Sequence, residues 1–220
     1  MLSDIVWPEI WQATGATLYM VGVGTLLSTL IGLPIGVLLV LFSPHHLLAN
    51  RPVYQVLSLI VNVLRSVPFI ILMIALIPFT EWVMGTSIGT NAAIVPLVVG
   101  AAPFYARLAE TALREVDPGV IEAAQAMGAS TWQIVWWVLL PEARAGVLSG
   151  IVITAVALVS YSAMAGVIGG GGLGDLAVRY GYDRFQTDVM LVTIVVMMVL
   201  VQVMQGIGDW WVARLSRRGG

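Results

Sequence analysis

The chain has 220 residues, 59% of them hydrophobic and only 10% charged, with a net charge of −2. An ordinary soluble domain carries about a quarter charged residues, so the composition excludes a water-soluble globule and points to a helical protein that crosses a bilayer repeatedly. Cysteine is absent and all ten basic residues are arginine, which excludes disulfides, thiolate chemistry, a lysine Schiff base and a P-loop ATPase, whose phosphate loop needs its lysine.

The first residues, MLSDIVWPEIWQ, hold two acids and no base. A cleaved leader opens on a positive segment, so none is predicted here. Runs of about 20 apolar residues mark the spans. The first is predicted over 14–42, ending at the breaker Ser43-Pro44. Inside it, Gly32 and Gly36 flank Pro34 in a GxxxG pattern. That pattern reads as a close helix crossing or hinge, or as generic packing of a glycine-rich span. The second span is predicted over 53–79, with Arg65 midway along it, followed by Ser66 and Pro68. The third covers 91–107 and is interrupted by Pro96 and Pro103, which membrane helices tolerate when neighbours satisfy the freed carbonyls. The fourth covers 145–168 and the fifth 187–211. No internal repeat is visible. The expected fold is all-α and polytopic, a single domain over 1–220 with five transmembrane helices.

Arginines set the expected orientation. With the C-terminus in the cytoplasm, that side holds Arg51, Arg107, Arg114, Arg144, Arg214, Arg217 and Arg218, against Arg179 and Arg184 outside. The N-terminus is then external, and residues 117–141 form a cytoplasmic loop between the third and fourth spans.

That loop reads as two short amphipathic helices. Asp117-Pro118 is a helix start, with aspartate as cap and proline at the first helical position. Val120, Ala124 and Met127 are expected to share one face. Gly128 suits the left-handed position that closes a helix. Ser130 with Gln133 is a capping box that starts the second helix, whose expected stripe is Trp132, Val135, Trp136 and Leu139 and whose limit is Pro141. A helix pair lying on lipid usually carries a basic polar face. Between Arg114 and Arg144 the charges are Glu115, Asp117, Glu122 and Glu142, all acidic, which favours a protein partner in the cytoplasm.

Glu122-Ala123-Ala124, three residues, Gly128, nine residues, then Val138, Leu140 and Pro141 in a V-x-L-P string resembles the EAA loop of ABC-importer permeases, with Val138 in place of the usual isoleucine. NVLRSVPFIIL (62–72), GTSIGTNAAIVPLVVGAAPF (85–104) and YSAMAGVIGGGGLGDLAVRYGY (161–182) resemble the permease subunits of methionine ABC importers in particular, and the similarity runs from about Thr14 to Arg218. The resemblance implies a transport subunit and not an enzyme. It implies a homodimer in a bacterial inner membrane, two cytoplasmic ATPase subunits that hold the ATP and Mg, and an external substrate-binding lipoprotein. It implies an amino-acid substrate, D- or L-methionine, with no cofactor on this chain and no nucleic acid. In that setting Glu122 is a polar contact or cap, Ala123 and Ala124 allow close approach, Gly128 permits the bend, and Val138, Leu140 and Pro141 complete the ATPase-coupling element. Methionine comes from the resemblance alone. A permease for another small amino acid or osmolyte, and a self-sufficient carrier or channel, are the alternatives.

A charge at a helix centre costs about 2.5–3.5 kcal/mol on insertion scales. Arg65 therefore reads as a structural arginine bonded to carbonyls freed by Pro68 or to an acid of another span, or else, with Ser66, as a pathway group that meets the substrate carboxylate. Ser162 and Met164, on the fourth span before Gly166, read as helix packing or as an axial gate. Gly169 to Gly172 and Gly174 form an external turn, as a hinge touching the binding protein or a tight return of the chain; Arg179, Asp183 and Arg184 beside it pair with that partner or are merely solvated. Gly172-Leu173-Gly174-Asp175 matches the GxGD of intramembrane proteases, but no second aspartate lies on a facing span. Two adjacent histidines, His45 and His46, with no third ligand make a poor metal site.

Overall fold

The computed structural model describes residues 7–44 and 46–216, and every regular element among them is helical. His45, Arg217 and Arg218 lie outside these residues, as do the first six, Asp4 among them. The first helix, α1 (Trp7–Phe42), has 36 residues. At 1.5 Å per residue it is about 54 Å long, well beyond a hydrocarbon core of about 30 Å. α5 (Thr90–Arg114), α9 (Arg144–Val167) and α11 (Thr187–Ser216) are the other long helices. These four are long and apolar enough to cross a membrane, or five with one bent pair taken as a span.

The bent pair corrects the expectation of one continuous helix over 53–79. α2 (Arg51–Ser66) is capped by Asn50, whose side chain accepts from the Val53 N–H. It stops at Ser66, and α3 (Phe69–Ala75) leaves at an angle of 101°. Pro68 has no N–H to continue the ladder and forces the residue before it out of the helical region. Val67 is accordingly extended, at φ −77 and ψ 125. α4 (Ile77–Met84) follows and is closed by Gly85 at φ 74. Arg65 is thus in the last turn of α2 beside a bend, not midway along a straight span.

α5 keeps both prolines inside its 25 residues and crosses α1 at very short range. A Cβ on Gly32 would lie 2.6 Å from the Ala102 carbonyl oxygen, and one on Gly36 would lie 2.8 Å from that of Ala106 and 2.9 Å from the Ala109 Cβ. Of the two readings of the GxxxG pattern, the close crossing holds. The same device repeats where Gly146 of α9 packs on Ala112. Tyr105, fully buried, fills the space beside Gly150. Met20, Val21, Phe69, Leu97, Ala101 and Leu158 form the central core. α11 lies on the outside, with Leu191, Val195, Met198, Val199 and Val203 exposed.

Past α9 the chain doubles back through Gly169, Gly171 and Gly172, all at positive φ. It then enters α10 (Gly172–Leu176) and a wide π turn, Ala177–Tyr182. The Leu173 N–H donates to Thr17 Oγ1 at 2.9 Å, and a Cβ on Gly172 would sit 2.7 Å from that same oxygen. This is a tight return of the chain pinned to α1.

Candidate coupling loop and transport pathway

The loop after α5 is built as its caps dictate. Asp117 accepts from the Gly119 N–H at 2.7 Å and starts α6 (Pro118–Ala126). The helix is closed by backbone bonds from Gly128 to Gln125 and from Ala129 to Ala124, with Gly128 left-handed at φ 81. Ser130 and Gln133 form the full capping box, and α7 (Thr131–Ile134) begins there. Three orphan N–H groups are satisfied by side chains over 17 residues, each cap worth about 0.5–2 kcal/mol.

Pro141 does not end the second helix. A π turn, Val135–Leu139, runs into α8 (Leu140–Glu142), and only Ala143 separates that from α9. The Leu140 N–H bonds five residues back, to Val135. The widened turn lets the ring of Pro141 sit where an ordinary i−4 ladder would clash. The loop is therefore joined almost rigidly to α9.

The buried faces match the expected stripes only at Ala124, Val135 and Leu139. Ile121 and Ala124 are the buried residues of α6, while Val120 is exposed and Met127 is 83% exposed. Along the second helix Ile134, Val135 and Leu139 are buried, and Trp132, Trp136 and Trp137 face out. The buried set packs on Val37, Val40 and Leu41 of α1 and Leu113 of α5, with Val138 and Leu140 at its edge. Ala124 thus serves a seam inside the chain. Glu122, Ala123, Gly128 and Pro141 stay on the outer surface. Nothing within 4 Å would obstruct a Cβ on Gly128.

The expected pathway residues separate into two places. Arg65 and Ser66 are both exposed at the bend, and the Ser66 hydroxyl donates to the Asn62 carbonyl at 2.7 Å. Among the described residues Arg65 makes neither the acid pair nor the carbonyl bonds of its structural reading; it lies over the face of Phe104, 5.8 Å from guanidinium carbon to ring centre. Ser162 is buried and donates to the Val159 carbonyl at 2.7 Å. Met164, two residues on, points the other way and is 43% exposed, in an open groove of about 580 Å³ between α9 and α11. Ser162 and Met164 do not share one surface.

Residues 28–217 match the family model described as binding-protein-dependent transport system inner membrane component. The chain belongs to this family. The probable D-methionine transport system permease protein MetI of Vibrio cholerae is 51% identical over 216 residues, covering 98% of this chain and 94% of its own. The methionine import system permease protein MetP of Bacillus subtilis is 49% identical over 201 residues, covering 91% and 90%. Among solved structures, an inward-facing MetNI methionine ABC transporter matches with a TM-score of 0.95 and 46% identity over 97% of this chain and 99% of that one.

Membership in the family sets aside the self-sufficient carrier. It also gives context to a polar cluster that sequence reasoning missed. Glu110 of α5 is 4% exposed. It accepts from Arg107 and, at 2.8 Å, from Arg114. Arg107 reaches across to the Ser58 hydroxyl and carbonyl and to Asn62 Oδ1, so a charged clasp ties α5 to α2. The spacing Arg107, Glu110, Arg114 was a legible i,i+3 and i,i+4 pattern. The Arg114 charge also acts on His46, just before α2; burial first, then that charge, holds its imidazole below the ordinary value of 6.5. Among the described residues no group of three His, Asp or Glu is placed to hold a metal ion.

Proposed function

We propose that the chain is the membrane-crossing subunit of an ATP-driven importer of methionine, working as a pair of identical copies. Two cytoplasmic ATPases bind the ATP and Mg, and an external binding protein delivers the substrate. In this reading the chain crosses the membrane five times, with α2, α3 and α4 together as one broken span, the N-terminus outside and the C-terminus inside. It is the transport subunit and performs no hydrolysis of its own.

The observation that carries the reading is the two-sidedness of the loop over 117–141. One side is clamped to the ends of α1 and α5. The other leaves Glu122, Ala123, Gly128, Trp132 and Trp136 uncovered, which is what an amphipathic element laid into a groove of a partner needs. When the ATPases close on ATP the groove moves. The loop, almost continuous with α9 through the π turn, carries that motion into the membrane, and the dimer alternates between outward and inward opening. Met164 on its open groove serves as the gate, with Ser162 packing behind it. Arg65 and Ser66 flank the pathway at the bend.

The test is purification of the chain with its ATPase in mild detergent, reconstitution into liposomes, and uptake of radiolabelled methionine with the binding protein outside and ATP inside. ATP-dependent accumulation is expected. A chain that purifies without any ATPase, even after crosslinking, or that moves methionine without ATP, would overturn the reading.

A further inference from the structure

Where α2 breaks, a cavity of about 240 Å³ opens between the bend, α5 and α9. Its lining includes Arg65, Phe69, Leu72, Gly100, Phe104 and Tyr161. The rings of Phe69 and Tyr161 stack, with centres 4.5 Å apart and planes 5° from parallel. Gly100 keeps the space open, since a Cβ there would come within 3.2 Å of the Phe69 ring. Three aromatic faces and one guanidinium meet in this single hollow.

The depth of the cavity gives the arginine its meaning. Phe104 lies fourteen residues from one end of α5 and ten from the other, or about 21 and 15 Å. Arg65 therefore sits near mid-depth of the helical bundle, where a cation is stable only beside water or a counter-charge. Among the described residues it has neither a hydrogen bond nor an ion pair. Among the described residues, no acid of this chain stands free at this level for a second copy to offer. Glu110 is engaged by Arg107 and Arg114. Asp209 follows Gly208, which packs on Val152, nine residues or about 14 Å along α9 from Tyr161. The remaining described acids lie in loops, in short helices or in the end turns of long ones. Lipid phosphates lie at the membrane surface, far from this depth. What remains to face this exposed guanidinium is water or a charged solute that displaces it.

We propose that this cavity is a transit site for a zwitterionic amino acid with a long unbranched side chain, its carboxylate on Arg65 and its side chain among Phe69, Phe104 and Tyr161. A guanidinium takes a carboxylate in two parallel hydrogen bonds. A thioether finds favourable contact with aromatic rings at about 5 Å. The inference rests on the amino-acid import reading and adds to it the place where the solute pauses. One arginine gives a grip weak enough for release, since no acid in the lining would clamp the ammonium end.

The experiment uses the permease–ATPase complex in liposomes with its binding protein, turning over on ATP. The probe is a methionine analogue carrying a diazirine in its side chain, activated by light during transport, with labelled residues mapped by mass spectrometry. Labels are expected within 64–72, 100–104 and at Tyr161. Arg65→Gln should lower methionine uptake roughly tenfold or more, the effect of losing a charge-assisted contact, and should remove the labels. Arg65→Lys, which keeps the charge but loses the two-pronged contact, should restore only part of both. Labels on the wild-type complex that fall wholly outside the cavity would overturn the proposal whether or not the variants assemble, as would normal uptake by Arg65→Gln. Wild-type complex that moves no methionine would overturn the import reading itself, and the transit site with it.

Discussion

Two regions use glycine for opposite reasons. In the seam between α1 and α5, Gly32 and Gly36 are small because a carbonyl stands under 3 Å from where a Cβ would be. In the loop, Gly128 has open space around it and is needed for its left-handed backbone, φ 81. The first kind is dictated by a neighbour in the same chain. The second is dictated by the turn between two helices, and it leaves a smooth outer surface for something else to touch. The seam is what must not move; the loop is where, in the proposed coupling, force enters.

That contrast can be broken most sharply at the seam. Gly36→Leu should separate α1 from α5 and cost at least the upper end of the roughly 1–3 kcal/mol typical of overpacking. A loss of folded protein in detergent and a lower melting temperature would register it. Gly128→Asp should do the reverse. Aspartate tolerates the left-handed region at modest cost, so melting should hardly change, while ATP-driven uptake falls roughly tenfold or more, as when one well-placed interface contact is lost. A Gly128→Asp complex that transports normally would sink the loop's proposed role. Ser130→Ala removes half of the capping box and should cost about 0.5–2 kcal/mol locally, seen as faster amide exchange over 131–135 with little change in melting.

The smallest effect belongs to His46. Its folded-state imidazole titrates below the ordinary 6.5, so the unfolded chain takes up the proton first as pH falls. Stability is then full above about 6.5 and is lost progressively below it, down through the folded value. Replacement by glutamine should flatten the dependence of melting temperature on pH between about 7 and 5, a window set by the model-compound value of histidine.

Much of this architecture was legible from residue patterns. The caps at Asp117, Gly128 and Ser130 are local chemistry and form as expected. The Gly32 and Gly36 pair announced a crossing, though only the structure decided for it. The break at Pro68 was half visible: prolines inside α5 are absorbed at Pro96 and Pro103, and nothing local distinguishes those from one that turns the chain by 101°. The loop stripes were misassigned for a different reason. In α6, nine residues long, a face through Val120 and one through Ile121 fit the helical period equally well. In the second helix Val135 and Leu139 are buried as expected, but Trp132 and Trp136, which fit the same helical period, face out. The burial of Glu110 was not legible, because it depends on Ser58 and Asn62 drawing Arg107 across to α2, contacts 45 to 49 residues distant.

The clasp around Glu110 also bears on how the chain is made. Arg107 reaches the side chains of Ser58 and Asn62 on α2, and α2 leaves the ribosome well before α5. A polar triplet arriving in the bilayer on α5 thus finds its partners already in place. It need not wait, charged and unmatched, for a later segment. For this clasp, order of synthesis and order of electrostatic need coincide.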